Sequence, residues 1–168
     1  VTPGIHDRIM KTVIEPTIEG MAKDGLPYTG FLYAGVMIDE NGIPKVLEFN
    51  CRFGDPETQP IMMRLQSDLA ELCLAAIDGK LDTVTAQWDK RAALGVVMAA
   101  GGYPEPYRKA DVISGLENAS APDLKVFHAG TSFNEAGQVI TSGGRVLCVT
   151  ALGENVSAAQ KRAYEGLA

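Results

Sequence analysis

The sequence has no apolar run approaching the roughly 18 residues of a membrane span, and it has no cysteine framework. Its three cysteines, Cys51, Cys73 and Cys148, are odd in number and lack CxxC spacing. That excludes a disulfide scaffold and points to a reduced, cytoplasmic setting. Positive charge is in deficit: 15 Lys and Arg stand against 21 Asp and Glu, a formal net charge of −6. Nucleic-acid binding needs clustered cations, so neither a nucleic acid nor a membrane is expected as a partner. A single local Arg can still hold a phosphate on a mildly acidic surface. Histidine is scarce, limited to His6 and His128. An initiating Met is also missing: the chain opens on Val1-Thr2-Pro3 and stops inside a helical pattern. We read it as a piece of a longer protein, with parts of any site outside it.

What is present is a globular composition, 46% hydrophobic and 21% charged over 168 residues, enough for one domain or two small lobes. Thr2-Pro3 is a helix entry, a hydroxyl cap followed by proline. Ile5, Ile9, Val13 and Ile14 follow at helical spacing; Pro16 should kink or restart the helix, and Asp24-Gly25 closes it. Tyr28 to Asp39 is apolar on both faces, which predicts a strand inside a covered sheet. The turn signal Asp39-Glu40-Asn41-Gly42 then leads into a returning strand over 45–50. Cys51 to Pro60 reads as a loop. Short helices are expected over 61–65 and from Ser67 or Asp68 to Gly79, the second with Glu71 placed for a capping box.

The polar stretch 80–91 is the expected boundary between lobes. Beyond it, strand-like runs over 93–100, 125–129, 138–141 and 145–151 are separated by glycine-rich turns, and a last helix begins near Ser157 with Gln160 three residues on. The expected class is therefore α+β, divided into residues 1–82 and a β-rich part, 92–168, cut short at its end.

The densest chemistry lies in Leu47-Glu48-Phe49-Asn50-Cys51-Arg52-Phe53-Gly54-Asp55-Pro56-Glu57-Thr58-Gln59. On one strand, Glu48 and Asn50 put a carboxylate and an amide oxygen on the same side by the period-two rule. Hard oxygen donors at that separation suit Mg²⁺, which completes its octahedron with water and nucleotide phosphate. The alternative is an ordinary solvated strand face. Phe49 between them is expected to point into the core. Arg52 lies two residues on, where a guanidinium pairs with a carboxylate or phosphate. Cys51, with no His near it in sequence, reads as a small packing residue.

Two runs, Tyr28-Thr29-Gly30-Phe31-Leu32-Tyr33-Ala34-Gly35 and Leu47 to Gln59, closely resemble the glycinamide ribonucleotide synthetase family of ATP-grasp ligases. The later segments Gly95-Val96-Val97-Met98-Ala99-Ala100-Gly101-Gly102-Tyr103-Pro104, Phe127-His128-Ala129-Gly130-Thr131 and Gly143-Gly144-Arg145-Val146-Leu147 resemble that family's C-terminal domain, in the same order. The resemblance spans essentially the whole chain. It implies that residues 1–82 end an ATP-grasp domain, that 92–168 form a small C-terminal domain, and that Glu48 and Asn50 ligate Mg²⁺ or Mn²⁺ bridging the phosphates of ATP. It implies ligation of glycine to 5-phosphoribosylamine through glycyl phosphate, giving glycinamide ribonucleotide, ADP and phosphate in purine biosynthesis. The missing N-terminal part of the same enzyme becomes a required partner, and these 168 residues alone are expected to be inactive. Many ATP-grasp relatives carry a further metal-binding acid on the preceding strand, where this sequence has Gly35. Alternatives within reach of the same motifs are another ATP-grasp carboxylate–amine ligase, or a non-catalytic domain of one.

Roles follow from that chemistry. Arg52 is expected to stabilise the acyl phosphate or the tetrahedral species, unless it pairs with Asp55 to brace the loop. Asp55 and Glu57 hold ribose hydroxyls or an ammonium group, or brace the loop. Gln59 binds substrate or caps the next helix. Arg145, after Gly143-Gly144, whose bare backbone lets N–H groups approach a phosphate, assists the ribose phosphate or shapes the nucleotide end, or sits in an ordinary hairpin turn. Gly101-Gly102-Tyr103-Pro104 is a tight turn and no dinucleotide fingerprint. His128 reads as a satisfied core or turn histidine and His6 as a surface one.

Overall fold

The computed structural model describes residues 1–167, which form two compact units that are not continuous in sequence. The first comprises 1–54 and 70–85, and the second 55–69 and 86–168. Among the described residues no helix is long and apolar enough to cross a membrane.

The first unit opens on α1 (Pro3–Ile9), whose cap is Thr2, its hydroxyl accepting from the Ile5 N–H at 3.4 Å. A π turn over Met10–Ile14 leads without a break into α2 (Glu15–Lys23). The wider turn places Pro16 in the first turn of α2, where its missing N–H leaves no bond unmade. Gly25, at φ +77°, ends the run. Next come β1 (Tyr33–Ile38) and β2 (Pro44–Asn50), an antiparallel pair. The Asp39 carboxylate closes their turn by accepting from the Asn41 and Ile43 N–H groups at 3.0 and 2.9 Å. From α1, Arg8 donates to the Gly42 carbonyl at 2.8 Å and ties the helix to the turn. The helix α4 (Leu69–Ile77) stops before Gly79, at φ +67°.

Two expectations fail here. The strand starts at Tyr33, five residues later than its apolar run. The sheet is also a two-stranded ribbon and not a covered layer: Met37, Leu47 and Phe49 are exposed, and Phe49 does not enter a core. Apolarity along a strand records a tendency to be covered and carries no information about what does the covering.

In the second unit, β3 (Ala92–Ala99), β4 (Leu124–His128) and β7 (Arg145–Gly153) form an antiparallel sheet in the order β3-β7-β4. A smaller sheet pairs β5 (Thr131–Phe133) with β6 (Val139–Thr141). The strand β5 escaped the sequence reading because it is three residues long and leaves Phe133 exposed. Central strand β7 is buried from Val146 through Leu152 because each of its faces is covered by a helix. On one face Val149 and Ala151 pack with Leu124 and with Ala163 of α5 (Val156–Glu165). On the other face lie Cys148 and Thr150, close to Gly95 and to Pro60 of α3 (Thr58–Arg64). A β-carbon on Gly95 would come within 2.9 Å of Cys148 Sγ and 3.4 Å of Pro60 Cγ, so the bare backbone lets α3 settle on the sheet. Gly153 does the same for α5, where an added β-carbon would meet the Ala159 nitrogen at 2.3 Å. The cap of α5 is Asn155, accepting from the Ala158 N–H at 2.9 Å, two residues ahead of the Ser157 start expected.

The stretch before β3 is more ordered than its polar composition suggested. Leu65 bridges to Trp88, and the Asp89 carbonyl accepts from Arg64 Nε and Nη2 at 3.1 and 2.9 Å. The Asp89 carboxylate grips Arg91, with Nη2 at 2.7 Å. These hydrogen bonds, chiefly those from the Arg91 side chain, lower the Asp89 pKa from 3.8 to about 2. A carboxylate depressed in the folded state stabilises the fold above its unfolded pKa, and that contribution disappears as pH falls through the folded value. Melting temperature should therefore decline between about pH 4 and about pH 2, and Asp89→Asn should lower it at neutral pH while flattening that decline. Thermal melts of both proteins across the acid range check this.

Candidate functional site

Two β-bulges, one in each unit, set the directions of Glu48 and of Arg145. In the first unit Gly35 pairs with Glu48 but Val36 pairs with Val46, so Leu47 is an extra residue on β2. Paired residues share a face and Gly35 and Val36 face opposite ways, so Val46 and Glu48 lie on opposite faces although two apart. The bulge thus aims Glu48 and Asn50 together away from the face of Val46. Their side chains meet, Asn50 Nδ2 donating to Glu48 Oε1 at 3.2 Å. Gly35 leaves room for this, since a β-carbon there would stand 3.1 Å from Glu48 Cγ.

Beyond the strand, Phe53 stacks on Phe31 with ring centroids 4.1 Å apart, and Arg52 Nη1 donates to the Phe53 carbonyl at 2.9 Å. Glu48 and Arg52 are solvent-exposed and Asn50 is half-buried. Cys51 is exposed as well, so it is not the packing residue expected from its size. Buried Cys148 fills that role; burial raises its thiol pKa and keeps it neutral.

In the second unit the other bulge does the same for Arg145. Met98 pairs with Leu147 and Ala99 with Arg145, so Val146 is extra and Arg145 leaves the Leu147 face for that of Cys148 and Thr150. There it meets Asp55, Nη1 donating to the carbonyl at 3.1 Å and Nη2 to Oδ2 at 2.8 Å. Asp55 is thus braced by Arg145, ninety positions away, and Arg52 holds Phe53 instead. Glu57 is the exposed N-cap of α3, so Gln59 lies inside the helix and is not its cap. Gln59 Oε1 is buried and has no hydrogen-bond partner among the described residues.

The Gly143-Gly144 pair is not a hairpin turn, because β6 pairs with β5 while β7 pairs with β3 and β4. Nor does Gly143 offer its N–H outward: with Ser142 N–H it donates to the Gly130 carbonyl, at 3.0 and 2.7 Å. These glycines serve close packing. A β-carbon on Gly130 would stand 2.5 Å from Gly143 Cα, and one on Gly144 would fall 2.1 Å from the Tyr103 ring. Sequence reasoning missed Tyr103; its signal was the second Gly-Gly dipeptide just before it. His128 is a turn histidine, Nδ1 lying 3.0 Å from Thr131 Oγ1, and His6 is exposed, as read.

Among the described residues no three His, Cys, Asp or Glu side chains cluster to hold a metal. Glu48 and Asn50 remain a two-oxygen donor set on one face, suited to a hard divalent cation that takes its other ligands from substrate and water.

Two family models match the chain in succession. Residues 1–58 match the ATP-grasp (A) domain of phosphoribosylglycinamide synthetase, and residues 93–168 match its C domain. The chain belongs to the phosphoribosylglycinamide synthetase family. Curated relatives named phosphoribosylamine–glycine ligase are 67% identical over 165 residues in Vibrio vulnificus, 66% over 167 in Allochromatium vinosum and 65% over 164 in Escherichia coli K12. Those matches cover 98 to 99% of this chain but 38 to 39% of the relatives' lengths. The crystal structure of the Thermotoga maritima phosphoribosylamine–glycine ligase superposes with a TM-score of 0.81 at 32% identity, over 99% of this chain and 40% of that one. Membership of the phosphoribosylglycinamide synthetase family accords with the α+β class, the end of an ATP-grasp domain followed by a small C-terminal domain. The ATP-grasp match contains both bulge-aimed oxygen donors.

The pair Asp55–Arg145 is half-exposed, at 59 and 41%, and contributes at most about 1 kcal/mol to stability. The packing beneath it matters more. Gly144→Ala drives a methyl into the Tyr103 ring and is expected to cost about 1–3 kcal/mol, while Tyr103→Ala made in addition should recover part of that loss. Denaturant melts of the single and double variants test the packing.

Proposed function

We propose that the protein carrying this chain is a phosphoribosylamine–glycine ligase, joining glycine to 5-phosphoribosylamine at the expense of ATP in purine biosynthesis. The observation that carries this reading is the pairing of Glu48 with Asn50 on one face of β2, inside the segment matched by the ATP-grasp model. Two-in-three identity along the chain to proteins named for this ligation supports the substrates. Because the chain spans under two fifths of their length, the nucleotide-binding remainder, N-terminal to it, is a necessary partner, and the 168 residues alone do not turn over.

In the division we propose, residues 1–82 contribute the metal-holding end of the ATP-grasp domain and 92–168 the C-terminal domain. Glu48 and Asn50 would hold a Mg²⁺ or Mn²⁺ ion, which would supply charge neutralisation at the triphosphate. A glycine carboxylate oxygen attacks the γ-phosphorus and ADP departs, leaving glycyl phosphate. The amine nitrogen of phosphoribosylamine then attacks the acyl carbon, inorganic phosphate leaves, and the nitrogen loses a proton to give glycinamide ribonucleotide. Charge rises on phosphoryl and acyl oxygens in these steps, and the exposed Arg52 guanidinium beside the metal-binding strand offsets it. Asp55 and Glu57 receive the ammonium or hydroxyl groups of the substrates, and Gln59 supplies a further polar contact. The reaction belongs in the cytoplasm, where the reduced state of three unpaired cysteines is maintained.

Glu48→Gln combined with Asn50→Ala in the full-length protein should lower glycine- and phosphoribosylamine-dependent ADP release on the order of 100-fold or more, with an unchanged circular dichroism spectrum. Undiminished release removes the metal assignment. Turnover of the wild type with a different acid or amine, and none with these two, moves the protein to another ATP-grasp ligase.

A further inference from the structure

We infer that Arg145 acts in this ligation as a positioning residue, fixing the segment that carries Asp55, Glu57 and Gln59, and does not itself meet a substrate phosphate. The inference rests on the ligase reading above. Arg145 takes the carbonyl and the carboxylate of the same residue at 3.1 and 2.8 Å. Gripping backbone and side chain together sets the orientation of Asp55. Two of the backbone N–H groups just before it are turned inward, Ser142 and Gly143 both donating to the Gly130 carbonyl.

The arginine stands on a rigid base. Its own carbonyl accepts from Gly130 N–H at 2.8 Å, the Gly144 carbonyl accepts from Ala100 N–H at 2.8 Å, and the Tyr103 ring lies against Gly144. The segment is therefore pinned at both ends: at Asp55 by Arg145, and at Pro60 by its seat over Gly95 and Cys148. Between the pins, Glu57 is exposed and Gln59 keeps a buried oxygen without a partner among the described residues. Polar groups held in place by their surroundings are what substrate alignment requires, and a misplacement of about 1 Å can cost on the order of 100-fold in rate.

The test uses the full-length protein as wild type, Arg145→Ala, Arg145→Lys, Asp55→Asn and the Asp55→Asn/Arg145→Ala double variant. Amide hydrogen exchange in 55–59 should quicken up to about fivefold in Arg145→Ala and Asp55→Asn while the β7 amides stay protected. In the same two variants kcat/KM for the phosphorylated amine should fall roughly 10- to 100-fold, with KM for ATP little changed. Arg145→Lys, retaining one point of attachment, should recover part of the loss, and the double variant should be no worse than either single one.

Unchanged exchange in 55–59 of Arg145→Ala would falsify the hold. Quickened exchange with unaltered kinetics reduces it to bracing alone. Asp55→Asn turning over normally while Arg145→Ala is crippled assigns Arg145 to the substrate instead. A wild type without ligase turnover sinks the reaction, and Arg145's part in it, while the exchange data still report on the hold itself.

Discussion

The burial of β7 on both of its faces depends on a separate helix covering each, and the rest of the second unit is arranged around that requirement. One cover, α5, follows β7 directly in the chain and seats its alanines against Val149 and Ala151. The other, α3, comes from far upstream and brings Pro60 over Gly95 and Cys148. Because α3 begins at Thr58, the loop just before it is drawn to the same face. The placement of Asp55, Glu57 and Gln59 is thus a by-product of closing a core.

The bulges exploit this arrangement. Along a regular strand, residues two apart share a face, and Arg145 would follow Leu147 toward α5. One extra residue, Val146, reverses that and presents the guanidinium where α3 begins. The extra residue at Leu47 acts likewise on β2, separating Glu48 from Val46. In both units a single inserted position converts packing alternation into the aim of a charged group, without loosening the ladder on either side.

Much of this was legible in the sequence where the determinants are local. The Thr2 cap, the Asp39–Gly42 turn, the Gly79 stop and the runs that became β3, β4, β6 and β7 depend on neighbours within a few positions. The shared face of Glu48 and Asn50 was readable by period two, and it is kept because the bulge lies before them. What could not be read is non-local or depends on partners. Phe49 was expected inside because strand alternation opposes it to Glu48, yet no second layer covers the ribbon among the described residues. Arg52 lay nearest Asp55 in sequence, but the ion pair went to Arg145, brought by the sheet from ninety positions away. The two glycines before Arg145 announced close approach correctly; whether to a phosphate or to a tyrosine ring is a question only the fold answers.

The chain passes between its two units three times, after Gly54, after Leu69 and after Thr85. Neither unit is a single stretch that could be cut out, moved or exchanged as a module. A piece beginning at residue 93, where the C domain match starts, keeps the sheet and α5 but leaves α3 behind, stripping one side of the central strand. Recombination at that seam would split the interior of the second unit, so α3 and the sheet it covers have to be inherited together.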